Sequence, residues 1–172
     1  MNSRLILPNI VRFLMLVLCQ VVLLDQLHLH GYINPFIYPL FILLLPFKTP
    51  KWLVLTLGFV LGLTIDMFNY SYGIHAAATV CLAYFRTNII LLFSSNNTMS
   101  NVPFPSLAFL GFKFFISYVA SCILVHHAVL FGIHFLTSLS GYEALRRIVL
   151  SSLVSIVLIL LSEYLFMSQK EK

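Results

Sequence analysis

The stretch from residue 52 to residue 68, WLVLTLGFVLGLTIDMF, is enough to assign the fold class of this chain. Asp66 is its only charged residue, and a helix of this length is near the roughly 20 residues that cross a bilayer. The whole chain has the same character: 60% of its 172 residues are hydrophobic and 9% are charged. A soluble domain carries about 25% charged residues. The sequence therefore predicts a chain that meets lipid over most of its surface.

Five further apolar stretches follow the same pattern, and we predict an all-α membrane bundle in a single domain, residues 1–172. About six transmembrane helices are expected, at about residues 8–24, 32–47, 52–68, 73–93, 109–135 and 148–167. The second stretch contains Pro35, Pro39 and Pro46, which remove backbone donors that lipid cannot replace. That stretch is either a short crossing or a broken, half-inserted helix.

The basic residues predict an orientation, because Lys and Arg collect in short cytoplasmic loops. If both chain ends face the cytoplasm, the outer loops hold only Arg146 and Arg147. The inner segments then hold all the others, Arg4, Arg12, Lys48, Lys51, Arg86, Lys113, Lys170 and Lys172. We therefore predict an even number of crossings, cytoplasmic termini and a cytoplasmic loop at residues 94–101. The net charge of +5 reflects this orientation and not a nucleic-acid partner.

Small residues mark one face of the third predicted helix and the start of the fourth. Gly58 and Gly62 are four residues apart, a spacing that lets another backbone approach one helix face. The next helix opens with three alanines, residues 76–78. We expect both helices to pack tightly against a neighbouring part of the bundle.

Asp66 is the most costly residue of the predicted bundle. Fifteen residues beyond Lys51, at about 1.5 Å each, it lies roughly 22 Å across an apolar core of about 30 Å. A carboxylate there costs at least ~2.5 kcal/mol unless partners compensate. The favoured interpretation is a cap for the fourth helix, or a bond to a hydroxyl of residues 70–72, with Gly73 allowing a sharp turn. The alternative is a proton or cation site with His75 as its neighbour.

Arg86 lies deep on the fourth predicted helix. The commoner outcome for such a residue is that it extends toward the cytoplasmic surface; the alternative is an internal pair with Glu163. Two serine pairs with helical spacing, 117/121 and 151/155, predict contacts between helices.

Motifs of catalysis and metal binding are missing from the sequence. There is no Gly-x-Ser-x-Gly elbow, phosphate loop, dinucleotide fingerprint or His-x-x-x-His pair. The histidines are expected to be buried or interfacial and bonded to backbone. Cys19, Cys81 and Cys122 lie far apart in apolar runs, as small hydrophobic residues do. We predict no enzyme, no metal, no cofactor and no disulfide.

The sequence from Gly62 to Asp66, followed by Gly73-Ile74-His75-Ala76 and Ala83-Tyr84, resembles the signature of the rod shape-determining MreD family. In that family a Gly-Leu-x-x-Asp run ends one helix and a Gly-x-x-Ala run opens the next. By position Gly62, Asp66, Gly73 and His75 match, although other residues also occur at the His75 position. The resemblance covers nearly the whole chain.

That resemblance implies a non-catalytic subunit of the cell-elongation machinery in the bacterial inner membrane. Such a subunit binds the bitopic scaffold MreC and, through it, the synthases of lateral peptidoglycan. The family's fold is similar to that of the substrate-binding subunits of energy-coupling-factor transporters. A vitamin- or small-molecule-binding transport subunit is therefore the alternative function. It requires an outward-facing pocket with polar groups, for which Asn34, Asn69, His28 and His30 are the candidates.

Overall fold

A computed structural model describes residues 3–27, 33–93, 102–137 and 140–170, with side chains for 7–27, 33–93, 102–137 and 140–165. The described residues are mostly helical and form no β-strand, which confirms the predicted fold class. Its helices are α1 (Ser3–Leu18, continued by a π-helical turn, Cys19–Leu24), α2 (Leu40–Leu43), α3 (Lys51–Asn69), α4 (Ile74–Phe93), α5 (Leu107–Thr137) and α6 (Gly141–Lys170). The predicted loop at 94–101, together with His28 and His30, lies outside the described residues.

Five of these elements are long and apolar enough to cross a membrane. They are Leu7–Leu24, Lys51–Asn69, Ile74–Phe93, Leu107–Thr137 and Gly141–Leu165. The chain is therefore a multi-pass membrane protein, and five of the six predicted helices lie close to their predicted positions.

The last helix begins earlier than predicted, at Gly141 instead of residue 148. A capping box sets this start: the Glu143 backbone N–H donates to Ser140 Oγ (3.3 Å), and the Ser140 N–H donates to Glu143 Oε2 (3.2 Å). The Ser-x-x-Glu spacing is a helix-start signal that can be recognised in sequence. The charged residues Glu143, Arg146 and Arg147 hid it, because they interrupt the apolar run on which the prediction was based.

The prediction of one helix over residues 32–47 is wrong. Residues 34–37 are not helical, and only the four residues of α2 form a helical turn. The prolines that made this helix doubtful explain the break, since each lacks a backbone N–H to donate. The alternative of a broken helix describes the segment, which we call the central crossing, residues 34–47.

The central crossing passes through the middle of the bundle. Every residue from 35 to 45 is buried, and the side chains of Tyr38, Ile42 and Leu43 have no exposed surface. Non-helical backbone is tolerated at membrane depth only where protein surrounds it. The five long helices provide that surrounding, which allows so short a segment to cross.

Contacts at its two ends show that the central crossing spans the bundle. At one end, the Asp25 end, Gln20 Nε2 donates both to the Pro35 carbonyl of the crossing (3.1 Å) and to Asp25 Oδ1 (2.7 Å). Asn69 Nδ2 also donates to Asp25 Oδ2 (3.0 Å), which joins the C-terminal ends of α1 and α3. At the other end, the Lys51 end, the Phe47 N–H donates to the Pro103 carbonyl (3.2 Å) just before α5.

The start of α1 and the finish of α6 both lie at the Lys51 end, because α1 runs parallel to α3 and α6 antiparallel to α5. An even number of crossings is what this arrangement requires. That the Lys51 end faces the cytoplasm stays a prediction.

Candidate functional site

The residues of the signature meet where α3 packs on α4. A Cβ atom built on Gly62 would lie 2.4 Å from Ala76 Cα and 2.6 Å from the His75 carbonyl oxygen. A Cβ built on Gly58 would lie 3.1 Å from Ala83 Cβ, a tight but milder contact. The helices therefore touch through their backbones; the predicted tight packing at Gly58 and Gly62 is confirmed, and the structure identifies the partner as α4.

Asp66 caps the N-terminus of α4 from the neighbouring helix. Its Oδ1 accepts hydrogen bonds from Ser71 Oγ (2.5 Å) and the His75 N–H (3.0 Å), and its Oδ2 accepts one from the Ala76 N–H (2.8 Å). Two of the four N–H groups that a helix start leaves without partners are thus satisfied by a carboxylate. The positive end of the helix dipole stabilises the same charge. The structural interpretation of Asp66 is the one this geometry supports.

The turn that brings Asp66 to α4 is left-handed at three residues. Tyr70, Tyr72 and Gly73 have φ angles of 53°, 52° and 90°. Glycine adopts such angles without steric cost, whereas tyrosine does so rarely. Both tyrosine side chains are exposed at the Asp25 end, where aromatic residues suit a membrane surface. Of the three candidate hydroxyls, it is that of Ser71 that bonds Asp66.

The His75 side chain turns away from Asp66 and toward the central crossing. The Tyr38 hydroxyl lies 2.8 Å from His75 Nδ1 and 2.7 Å from His126 Nε2. A hydroxyl has a single proton, so it donates to one imidazole and accepts from the other. The three side chains form one directional chain, in which the tautomer of His75 fixes that of His126.

Phe36 is packed among three histidine rings directly beside this chain. The ring centres of His75, His126 and His127 lie 5.4, 6.2 and 5.4 Å from its own. His127 Nδ1 is 2.8 Å from the Ile123 carbonyl oxygen. His75, His126 and His127 are buried as predicted, and among the described residues a backbone carbonyl bonds the ring of His127 alone. Within the described ranges, no group of three His, Cys, Asp or Glu residues is placed to hold a metal ion.

Gln20, which the sequence did not single out, binds the central crossing most extensively. Its Nε2 donates to the Pro35 carbonyl (3.1 Å) and to Asp25 Oδ1 (2.7 Å), and its Oε1 accepts from the Ile37 N–H (2.9 Å). It lies in the π-helical turn that ends α1. Such turns occur often at functional positions. A glutamine buried in an apolar run was the signal available in sequence.

The serine pair of α6 bonds the other side of the crossing. Ser151 Oγ accepts from the Asn34 N–H (3.1 Å), and Ser155 Oγ accepts from the Phe36 N–H (2.9 Å). These serines bond across the bundle as expected, but their partner is the backbone of the central crossing and not, as had been predicted, another helix. In the other pair, Ser117 Oγ donates to the carbonyl of Lys113 on its own helix (3.0 Å).

Arg86 is buried, with 3% of its surface exposed, so the expectation that it extends to the surface is wrong. Its Nη2 donates to the Leu45 carbonyl, and the Tyr118 hydroxyl donates to the Leu43 carbonyl (3.0 Å). Both bonds satisfy carbonyls where α2 ends. Glu163 accepts from the Leu107 N–H (3.4 Å), and the Arg86–Glu163 pair stays a prediction.

A cavity of about 370 Å³ opens at the Asp25 end. It is formed by the end of α1, the start of the central crossing, and α3 to α6. Its walls are Leu24, Asp25, Leu27, Asn34, Pro35, Phe36, Asn69, His75, Leu130, Phe131, His134 and Arg147. Asn34 and Asn69, named above as candidates for a pocket, are both among them.

Comparison of the chain with known protein families, with curated proteins and with solved structures gives no match.

Proposed function

We propose that this chain is a non-catalytic subunit of the bacterial cell-elongation complex in the inner membrane, with both termini in the cytoplasm. In this role it binds an MreC-like bitopic scaffold protein and, through that protein, the synthases of lateral peptidoglycan. The observation that carries the proposal is that Gly62, Asp66, Gly73 and Ala76 all serve one joint between α3 and α4. Because these residues pack and cap two helices, they support a structural role for the chain.

The interior polar residues support the same role. Asp66 caps a helix, Gln20 and Ser155 bond the backbone of the central crossing, and Arg86 bonds a carbonyl where α2 ends. Each of these groups has a structural partner. Binding of another protein then takes place on the outer helix faces and at the ends of the bundle.

The proposal is tested by depleting the protein and by purifying it from its native membrane. We expect rod-shaped cells to become round on depletion, and a bitopic MreC-like protein to co-purify with the tagged chain. As a control, the Gly132→Ala variant supplied to depleted cells should restore the rod shape and co-purify the same partner, because a Cβ at Gly132 meets no atom within 4 Å. Unchanged cell shape together with purification free of such a partner would refute the scaffold role.

The cavity at the Asp25 end favours a second candidate, a substrate-binding membrane subunit of a small-molecule transporter. Its volume of about 370 Å³ lies in the range typical of ligand sites, about 300–1,000 Å³. Purified protein that carries a stoichiometric small molecule supports this candidate. Purified protein that carries a bitopic protein and no small molecule supports the scaffold.

A further inference from the structure

One hydroxyl group ties the central crossing to both α4 and α5. The Tyr38 hydroxyl of the crossing bonds His75 Nδ1 of α4 at 2.8 Å and His126 Nε2 of α5 at 2.7 Å. All three side chains are buried. His75 also lines the cavity at the Asp25 end, whereas His126 has no exposed surface. This hydrogen-bonded chain therefore begins beside the cavity and ends inside the bundle.

The inner end of the hydrogen-bonded chain has no acceptor for a proton. His126 Nδ1 is enclosed by protein and has no hydrogen-bond partner among the described residues. A buried N–H without an acceptor is rare in proteins because it is costly. The neutral chain avoids that cost in one direction only: His126 carries its proton on Nε2 and donates it to Tyr38, and Tyr38 donates to His75.

An added proton removes this arrangement. If His75 takes the proton, its Nδ1 donates to Tyr38, the Tyr38 hydroxyl turns to His126 Nε2, and neutral His126 must carry its proton on Nδ1. If His126 takes the proton, both of its ring nitrogens carry one. While both bonds and the Tyr38 proton stay within the chain, either outcome buries a positive charge and a donor without a partner.

The titratable and charged groups that face the hydrogen-bonded chain from neighbouring elements are Asp25 at the end of α1, Asp66 of α3, His127 and His134 of α5, and Arg147 of α6. The two carboxylates accept hydrogen bonds from other groups, and the basic side chains oppose an added positive charge. In water carboxylates titrate near pH 4 and histidines near about pH 6.5. Between pH 5 and 7.5 the histidines are therefore the groups whose charge changes.

We propose that the hydrogen-bonded chain of His75, Tyr38 and His126 is an acid-sensitive latch that holds the central crossing against α4 and α5. Near neutral pH the latch is closed. When the side of the membrane that the Asp25 end faces becomes acidic, a proton reaches His75, the bond between Tyr38 and His126 breaks, and the start of the crossing loosens. The open state takes up a proton that the closed state excludes, so the closed state is lost as the pH falls below about 6.5. The inference does not rest on the scaffold role.

Hydrogen–deuterium exchange of the full-length protein in detergent tests the latch. Exchange of the central crossing at pH 7.5 and pH 5 is compared with that of α3, after correction for the intrinsic effect of pH on amide exchange. One proton taken up only by the open state raises the opening equilibrium about 30-fold over this range. We expect at least that rise in the crossing and no comparable rise in α3. No rise, or an equal rise in both segments, which is general unfolding, overturns the proposal.

Histidine variants locate the effect. His126→Gln keeps an amide for Tyr38 but takes up no proton, so it should lower the rise at least about tenfold. His134→Gln, at a histidine of the same helix outside the hydrogen-bonded chain, is the matched control and should keep the rise. An unchanged rise in His126→Gln, or a lost rise in His134→Gln, contradicts the latch. If His126→Gln does not fold, His75→Asn decides by the same measure.

Proton flux distinguishes a latch from a relay. Because the hydrogen-bonded chain ends at His126 Nδ1, vesicles that contain the protein should dissipate a pH gradient no faster than empty vesicles. A pH-sensitive dye inside the vesicles measures the rate. A proton flux that His126→Gln abolishes would overturn the latch, since it would show a path for protons through the bundle.

Discussion

The α3–α4 joint and the central crossing solve the same problem by different means. Each brings polar groups into the interior of a bundle that lipid surrounds. At the joint, Gly62 lets two helix backbones touch, and the Asp66 carboxylate satisfies the start of α4 from nine and ten residues away. In the central crossing, Ser155 satisfies the backbone of Phe36 from 119 residues away.

This difference sets how each region should respond to mutation. The joint depends on close contact between backbones, which cannot move apart without separating the helices. The crossing depends on separate hydrogen bonds, each of which can be removed by itself. We therefore expect one all-or-none effect at the joint and graded effects at the crossing.

The largest expected effect is that of Gly62→Leu. Its Cβ would lie 2.4 Å from Ala76 Cα, and that backbone atom has no room to move. Overpacking of this kind costs about 3 kcal/mol or more, so we expect loss of folded protein in size-exclusion chromatography of a fluorescent fusion. Gly132→Ala is the control in open space, and Gly58→Ala should fall between the two. A monodisperse Gly62→Leu protein would show that the joint is not a backbone contact.

Gln20→Leu should have the next largest effect, in the central crossing. It leaves the Pro35 carbonyl and the Ile37 N–H buried without partners, at about 1–3 kcal/mol each. We expect a large fall in thermal stability in detergent, measured by circular dichroism. Val22→Leu, on an exposed position of the same π-helical turn, is the control. Equal stability of the two variants would mean that the crossing does not depend on Gln20.

Asp66→Asn tests whether the negative charge of Asp66 stabilises the joint, in addition to the size and hydrogen-bonding oxygen that the side chain of Asn retains. The amide keeps one acceptor oxygen but loses the charge that the start of α4 stabilises, a cost of about 1–2 kcal/mol. Thermal unfolding should also show that Ser71→Ala costs less when combined with Asp66→Asn than in the unmodified protein, because the partner of Ser71 is already weakened. Strictly additive losses would contradict a shared cap.

The smallest expected effect is that of Ser155→Ala, which removes one acceptor from the Phe36 N–H. The cost should be about 1 kcal/mol in thermal unfolding. Ser117→Ala is the matched control, because its hydroxyl is exposed and bonds only its own helix. If Ser117→Ala lowered the thermal stability as much as Ser155→Ala, the hydrogen bond from Phe36 to Ser155 would have no separate effect on the central crossing.

Prediction from sequence succeeded at the joint and failed at the crossing for a physical reason. The residues of the joint, from Gly58 to Ala83, are near one another in sequence, so helical spacing alone places Gly58 and Gly62 on one face. Arg86 was expected at the surface because its bond to the carbonyl of Leu45 depends on where the crossing runs. Gln20 was missed because nothing near it in sequence shows what it binds.

Sequence alone establishes that this chain is a bundle of apolar membrane helices, because a surface with so few charged residues needs lipid as its solvent. It also favoured Asp66 as a cap of the fourth helix, because Asp66 and the residues that it caps lie close together in sequence. The three-dimensional structure was needed to show that the second apolar stretch crosses as a broken segment and that His75 joins Tyr38 and His126. Those outcomes depend on side chains from helices distant in sequence, which meet only after the bundle has formed.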